Sequence, residues 1–442
     1  MMTVPISNLY KLQHGAIWKA IKTDNFAFWM CCAYLFFEYI RPQAIWPLFD
    51  VYHYWARSFI MLAFIAWFFD PNRQFVWTKF TTGVFAYLVL VVISSRLAYW
   101  PEISSEYFMD FFNWVVVFFV LTQITTTRQR LYILLLIFMI ASFKLSLYGA
   151  RTFAMRGFAF ADWGLAGPRG YFQNPGELAI QMLMFAPMSL FFIQGIKKHL
   201  KKWQVYTLYL MPITAVLTVI GTNTRGGQIA LAAQVLALVM VSKHRFKMLI
   251  VICAIGFIGF QLLPEEQKTR FKSSGEDLTS VQRLLYWEHG WQMIKDHPFI
   301  GVGYFNFPAF YTNNHSEDIV LEMLKEKGAE FPHNIFIQVG TDTGFSGLAV
   351  FVGLMLGSFL TMHKLQKAAE KTGDNFVLNL TKGMNVALVG YIISGQFVTV
   401  AYYPFLWIHL VFVVSMTTFW KNEKSAEDID NHSSRGMKVY GH

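Results

Sequence analysis

The chain predicts an all-α polytopic membrane protein, and three observations carry that prediction. First, the 442 residues are 55% hydrophobic and 18% aromatic but only 14% charged, whereas soluble domains carry about 25% charged residues. Second, nearly uncharged apolar runs recur along the whole chain, with lengths close to the roughly 20 residues that cross a bilayer core. Third, the basic residues behind the formal net charge of +10 gather in short segments between those runs. A membrane barrel would instead show short alternating strands. The positive charge therefore reads as a topology signal, and no nucleic-acid partner is expected.

Twelve spans are expected, near 26–40, 55–69, 80–95, 106–124, 130–149, 176–195, 203–221, 226–242, 246–263, 334–361, 377–398 and 401–420. With that count, the loops holding Lys19/Lys22, Arg73/Lys79, Arg128/Arg130, Lys197–Lys202, Lys243–Lys247, Lys364–Lys371 and Lys421/Lys424 all fall on one side, together with both termini. The positive-inside rule makes that side the cytoplasm. Residues before the first run mix Lys11, Lys19, Lys22 and Asp24, so no cleavable signal peptide is expected there. The organisation is then residues 1–263 with nine spans, a large outer loop at 264–332, three further spans at 333–420, and a polar tail at 421–442. Within the outer loop, "TSVQRLLYWEHGWQMIKDHPF" reads as short amphipathic helices on the membrane surface. Cys31, Cys32 and Cys253 lie inside apolar runs and read as small buried hydrophobes. No His/Cys/Asp spacing suggests a metal site.

Four places carry chemistry-bearing residues on the expected outer side. Arg225, in "VIGTNTRGGQIALAAQ", stands between two apolar runs with almost no loop. An arginine at mid-bilayer costs about 2.5–3.5 kcal/mol on insertion scales and less near the surface. It is either snorkelling to headgroups or binding an anion, and Gly226 and Gly227 would let a ligand approach the backbone. Arg283 precedes "HPFIGVGYFNF" and reads alone as a solvated residue or a partner of Glu288. Arg151, Arg156 and Arg169 run against the charge rule, which favours a task for at least one of them. The following "GYFQNPGELA" puts Asn174 at a helix N-cap with Pro175 in the first turn. Finally, His333 in "FPHNIFIQVGTDTGFSGLAVF" stands where the outer loop re-enters the membrane. It is either an interfacial residue or a base, because a neutral imidazole accepts protons near neutrality. Asn334 is placed to orient its ring. Gly344 and Gly347, further on, suit close helix packing.

"GTNTRGGQIAL", "RLLYWEHGWQMIKDHPFIGVGYFNF" and "FPHNIFIQVGTDTGFSGLAVF" resemble the three signature regions of the O-antigen ligase family. That superfamily includes O-antigen polymerases and bacterial protein O-oligosaccharyltransferases. The resemblance implies a GT-C-type glycosyltransferase with about twelve helices in the inner membrane and its active site on the periplasmic face. It implies a metal-independent, inverting transfer of a glycan from undecaprenyl diphosphate to a hydroxyl of lipid A–core. Arg225 and Arg283 would bind the diphosphate with Arg169 as a third contact, and His333 would be the base. Asn334, Tyr286 and Asn174 would support them, and no cofactor is implied. A polymerase or protein-glycosylating relative would share this chemistry with another acceptor. A twelve-span transporter is the remaining class, but no half-to-half similarity appears, and Lys144 is the main charge deep in a span.

Overall fold

The computed structural model describes residues 5–160, 163–241 and 277–439, with scattered positions between 245 and 261. Two short helices, Ile6–Tyr10 and His14–Lys22, lead into α1 (Phe26–Ile40), α2 (Trp55–Phe68), α3 (Lys79–Arg96), α4 (Pro101–Ile124) and α5 (Arg128–Met155). These are followed by α6 (Pro175–Ile196), α7 (Leu210–Gly221, preceded by the short helix Lys202–Leu208) and α8 (Arg225–Val241). Beyond the gap come α9 (Leu278–Asp296), α10 (Phe307–Asn314), α11 (Ile335–Thr372), α12 (Asn375–Ser394) and α13 (Pro404–Val439). Among the described residues, 8 helices are long and apolar enough to cross a membrane, and the segments Trp55–Phe68 and Arg225–Met240 are shorter apolar helices. Each expected span coincides with a helix except the ninth, 246–263, which lies largely outside the described residues.

The helices begin where capping chemistry allows. Thr127 caps α5 by accepting from the Arg130 amide (3.3 Å), and Asp374 caps α12 through the Val377 amide (3.0 Å). Pro101, Pro175 and Pro404 occupy first-turn positions, where a missing N–H costs nothing. Helix α6 is apolar all round and is buried along most of its length, as a central helix should be. Large apolar side chains on α2 and the later part of α11, among them Leu62, Ile65, Phe68, Leu356 and Leu360, point outward as a lipid-facing surface would.

Contacts among the described residues group loops at the two ends of the bundle. At one end Arg128 pairs with Glu423 and Asp374 (both 2.6 Å), Arg130 pairs with Asp24 (2.6 Å), and the Tyr132 hydroxyl reaches the Leu9 carbonyl (3.0 Å). At the other end the Tyr99 amide donates to the Val302 carbonyl (3.2 Å), and Ser104 donates to Tyr304 (2.7 Å). Arg225 meets Asp277 at this same end. Val241 is about 25 Å of helix rise away from Arg225.

Two expectations about the outer loop need correction. The segment expected to form short surface helices is one helix of 19 residues, α9, lying along the first half of α11. Small residues allow that approach: Gly290 faces Ile337, and Gly340 faces Ile294. Gly344, expected to aid packing within a continuous helix, instead breaks α11, with φ +67 and ψ −168. The break frees backbone groups for the "HPFIGVGYFNF" loop. The Phe345 amide donates to the Pro298 carbonyl (2.7 Å), and the Val302 amide donates to the Thr341 carbonyl (2.8 Å). The buried Asp342 accepts from the Phe305 amide (3.0 Å) and the Tyr402 hydroxyl (2.9 Å). Gly301, at φ +69, lies so close that an added Cβ would stand 2.1 Å from the Thr341 carbonyl oxygen. The Gly-x-Gly element is thus the plug of a broken helix.

Candidate functional site

Arg225 opens α8 at the end of the bundle opposite the basic loops. Its Nη1 donates to Asp277 Oδ2 (2.7 Å) and to Ser280 Oγ (3.2 Å). Asp277 is also the N-cap of α9, accepting from the Ser280 amide (3.1 Å) and hydroxyl (2.8 Å). Burial would raise the Asp277 carboxyl, but the bonds from Arg225 and Ser280 hold it far below the usual carboxylate range. Arg225 is therefore a structured cation paired, among the described residues, with Asp277, and not a side chain snorkelling freely.

One turn and a half into α9, Arg283 is half-buried and has no hydrogen bond or ion pair among the described residues. Burial lowers its guanidinium from the ordinary value, Glu330 and Asp277 pull it back up, and the nearby charge of Arg225 lowers it further. Arg225, Asp277, Arg283 and Glu330 are thus close enough to feel one another's charge. Glu288, the partner that spacing suggested for Arg283, is exposed elsewhere on the helix.

The segment 330–334 is pinned at four points. The Glu330 amide donates to the Tyr286 hydroxyl (3.0 Å), and Trp287 Nε1 donates to the Pro332 carbonyl (2.8 Å). The His333 amide donates to Thr399 Oγ1 (3.0 Å). Asn334 Oδ1 accepts from the Phe336 and Ile337 amides (2.9 and 3.3 Å), capping α11. His333 is thereby held in the left-handed region, at φ +49. Its Nε2 lies 3.5 Å from Glu330 Oε2. That contact is the leading reason the Glu330 carboxyl falls below its usual range, while burial opposes the shift and the charges of His333, Arg283 and Lys327 reinforce it.

The expected supporting residues thus have definite tasks, some different from those expected. Asn334 is a helix cap, and its oxygen is turned to the α11 amides, away from orienting the His333 ring. Tyr286 anchors Glu330. Asn174 forms a capping box with Glu177, its amide donating to Glu177 Oε2 (3.1 Å) and its Nδ2 to Oε1 (3.0 Å). Neighbouring Gly176 packs on Val398, beside the Thr399 that holds His333. Phe397 links the parts: it lies against Gly226 and pairs with the Trp287 ring at 6.2 Å.

Arg169 stands apart. It is exposed on the loop 163–173, which docks on the end of α7 through the Leu165 amide and Gly221 carbonyl (3.2 Å), and no contact ties it to Arg225, Arg283 or His333. Arg151 and Arg156 are exposed as well. Asp277, Glu330 and Thr399 were not legible as site residues. Only Asp277 offered a signal, as an acidic cap with Ser280 three positions on.

The starts of α6, α8, α9, α11 and α13 all lie at this end, so positive partial charge from several helix N-termini adds to the two guanidiniums. Such a face, with an imidazole at its rim, suits a polyanionic group carrying a reactive centre. Residues 210–352 match the family model described as O-antigen ligase. No curated protein matches the chain. Arg225, Arg283 and His333 all fall inside the matched stretch, so this part of the chain is similar to the O-antigen ligase family.

Proposed function

We propose that the protein is a ligase-type glycosyltransferase that moves a glycan from undecaprenyl diphosphate to a hydroxyl of lipid A–core at the periplasmic face of the inner membrane. The observation that carries this reading is the grouping of Arg225, Arg283, Glu330 and His333 at one end of the bundle, within the matched domain. The acceptor hydroxyl attacks the anomeric carbon of the donor sugar from the face opposite the diphosphate. Its proton passes to His333 Nδ1, the ring nitrogen that does not face Glu330, the new C–O bond forms, and the bond to the diphosphate oxygen breaks with its electron pair. Inversion follows from the single displacement. Arg225 and Arg283 balance the charge that grows on the leaving diphosphate, as a metal ion would elsewhere. Arg169 is the outer candidate for a third phosphate contact. Glu330 stabilises the imidazolium once His333 takes the proton.

The test is transfer in cells lacking the gene and complemented with variants. Arg225→Ala and His333→Ala should each lose glycan transfer at unchanged membrane levels of protein, and normal transfer by both would sink the mechanism. Acceptor identity is read from what accumulates without the protein. A ligase leaves full-length lipid-linked chains and bare lipid A–core, a polymerase leaves core capped with single repeats, and a protein-glycosylating enzyme leaves unmodified protein.

A further inference from the structure

Away from the Arg225–His333 neighbourhood, the outer subdomain has a small core of its own, made by Tyr286, Met293, Val302, Phe307, Tyr311, Ile319 and Leu324. Seven buried side chains are few for independent stability, and cores of that size usually rely on a staple. At its edge three metal-ligating side chains converge from separate elements. His289 comes from α9, His315 directly follows α10, and Asp318 sits in the next turn, at Ser316–Asp318. Their ligand atoms all lie within 4.8 Å of one another. His289 Nε2 is 2.9 Å from Asp318 Oδ2, and the two imidazoles stack at 4.0 Å. The sequence concealed this group, because spacings of 26 and 3 residues fit no familiar ligand pattern.

We propose that His289, His315 and Asp318 bind a Zn²⁺ ion that clamps α9 to the segment following α10. Two imidazoles and one carboxylate are a donor set zinc accepts, with water completing the tetrahedron. Zinc–ligand bonds of about 2.0–2.2 Å put the donor atoms somewhat over 3 Å apart. The three side chains meet that spacing after a small closure. The Tyr311 ring packs against both imidazoles, at 5.3 and 5.5 Å between centroids. The surroundings fix the ligands, since Gln282 accepts from the Val320 amide (2.7 Å) and donates to the Asp318 carbonyl (3.3 Å). On α9, His289 lies six residues and about 9 Å of rise from Arg283. The ion is accordingly a structural clamp, and the inference stands whether or not the proposed glycosyl transfer is correct.

The experiment uses the full chain in detergent without a polyhistidine tag, stripped with chelator and titrated with Zn²⁺ by calorimetry, with Co²⁺ as a spectroscopic reporter. The wild type should bind one Zn²⁺ and show the intense visible absorption of tetrahedral Co²⁺. His289→Ala and His315→Ala should bind at least about 10-fold more weakly. Asp318→Asn, which keeps a hydrogen bond to His289 and so the local fold, should lose affinity similarly, whereas His53→Ala should bind as the wild type does. Zinc should also raise the melting temperature of the wild type alone. Absence of stoichiometric Zn²⁺ binding in the wild type, or equal binding by the wild type and Asp318→Asn, overturns the proposal.

Discussion

His333 holds a backbone conformation that L-residues avoid, at φ +49, and a side chain there costs about 1–2 kcal/mol relative to the right-handed region. Bonds to Thr399 and from Trp287 to Pro332 offset that cost. Asparagine tolerates the left-handed region better than other non-glycine residues. His333→Asn should therefore melt within about 0.5 kcal/mol of the wild type while transferring glycan at least ~100-fold more slowly. Thermal unfolding in detergent together with a transfer assay checks both halves, and retained transfer would remove His333 from the chemistry. A second prediction concerns acid. The Glu330 carboxyl is depressed in the folded protein, so its contribution is full above the unfolded value, about 4.3, and fades as pH falls through the folded one. Hydrogen exchange across 328–334 should rise below about pH 4, and Glu330→Gln should exchange rapidly at every pH. Arg225, Arg283 and His333 were legible because their residue types are costly or reactive at a membrane boundary. Glu330 and Thr399 were not, since an exposed glutamate and a threonine are ordinary residues until a fold brings them to a histidine.

Helices were legible wherever a long apolar run met a cap or a proline, and their internal breaks were not. Gly344 sits in a run that any hydropathy reading continues straight through, yet the chain turns there to accept the 298–305 loop. The cause is tertiary, because the break is stabilised by carbonyl and amide partners 39 and 47 residues away in sequence. Gly344→Ala would put a Cβ 2.6 Å from the Pro298 carbonyl oxygen at a φ that alanine disfavours. It should destabilise the protein by about 1–3 kcal/mol, read as a lowered melting temperature, while Gly353→Ala, in open space on the same helix, should change little. Similarly, α9 reads from sequence as short amphipathic surface helices because Leu284, Leu285, Trp287 and Trp291 alternate with polar and charged positions. Its partner is the small-residue face of α11, which periodicity does not report.

For the whole molecule, the charge pattern predicted which loops share an end, and the Arg128–Glu423 and Arg225–Asp277 pairs stand at the two opposite ends. The ordering survives because the cost of moving a charged loop across a bilayer acts on every loop independently. Single cysteines placed at Lys421 and at Arg169 in a cysteine-free background should label from opposite faces with a membrane-impermeant thiol reagent. Labelling from the same face would refute the expected topology. How the loops pack once they arrive, including which arginine joins the site and which stays exposed, depends on contacts that no single segment encodes. The Arg225–Asp277 pair has one more consequence. In the proposed mechanism a diphosphate that takes Arg225 would take it from the residue that caps α9, so donor arrival and carrier release would each be a swap of anions. The start of α9 would be let go when the site fills and caught again when it empties, and occupancy of the site would be written into the position of a helix outside it.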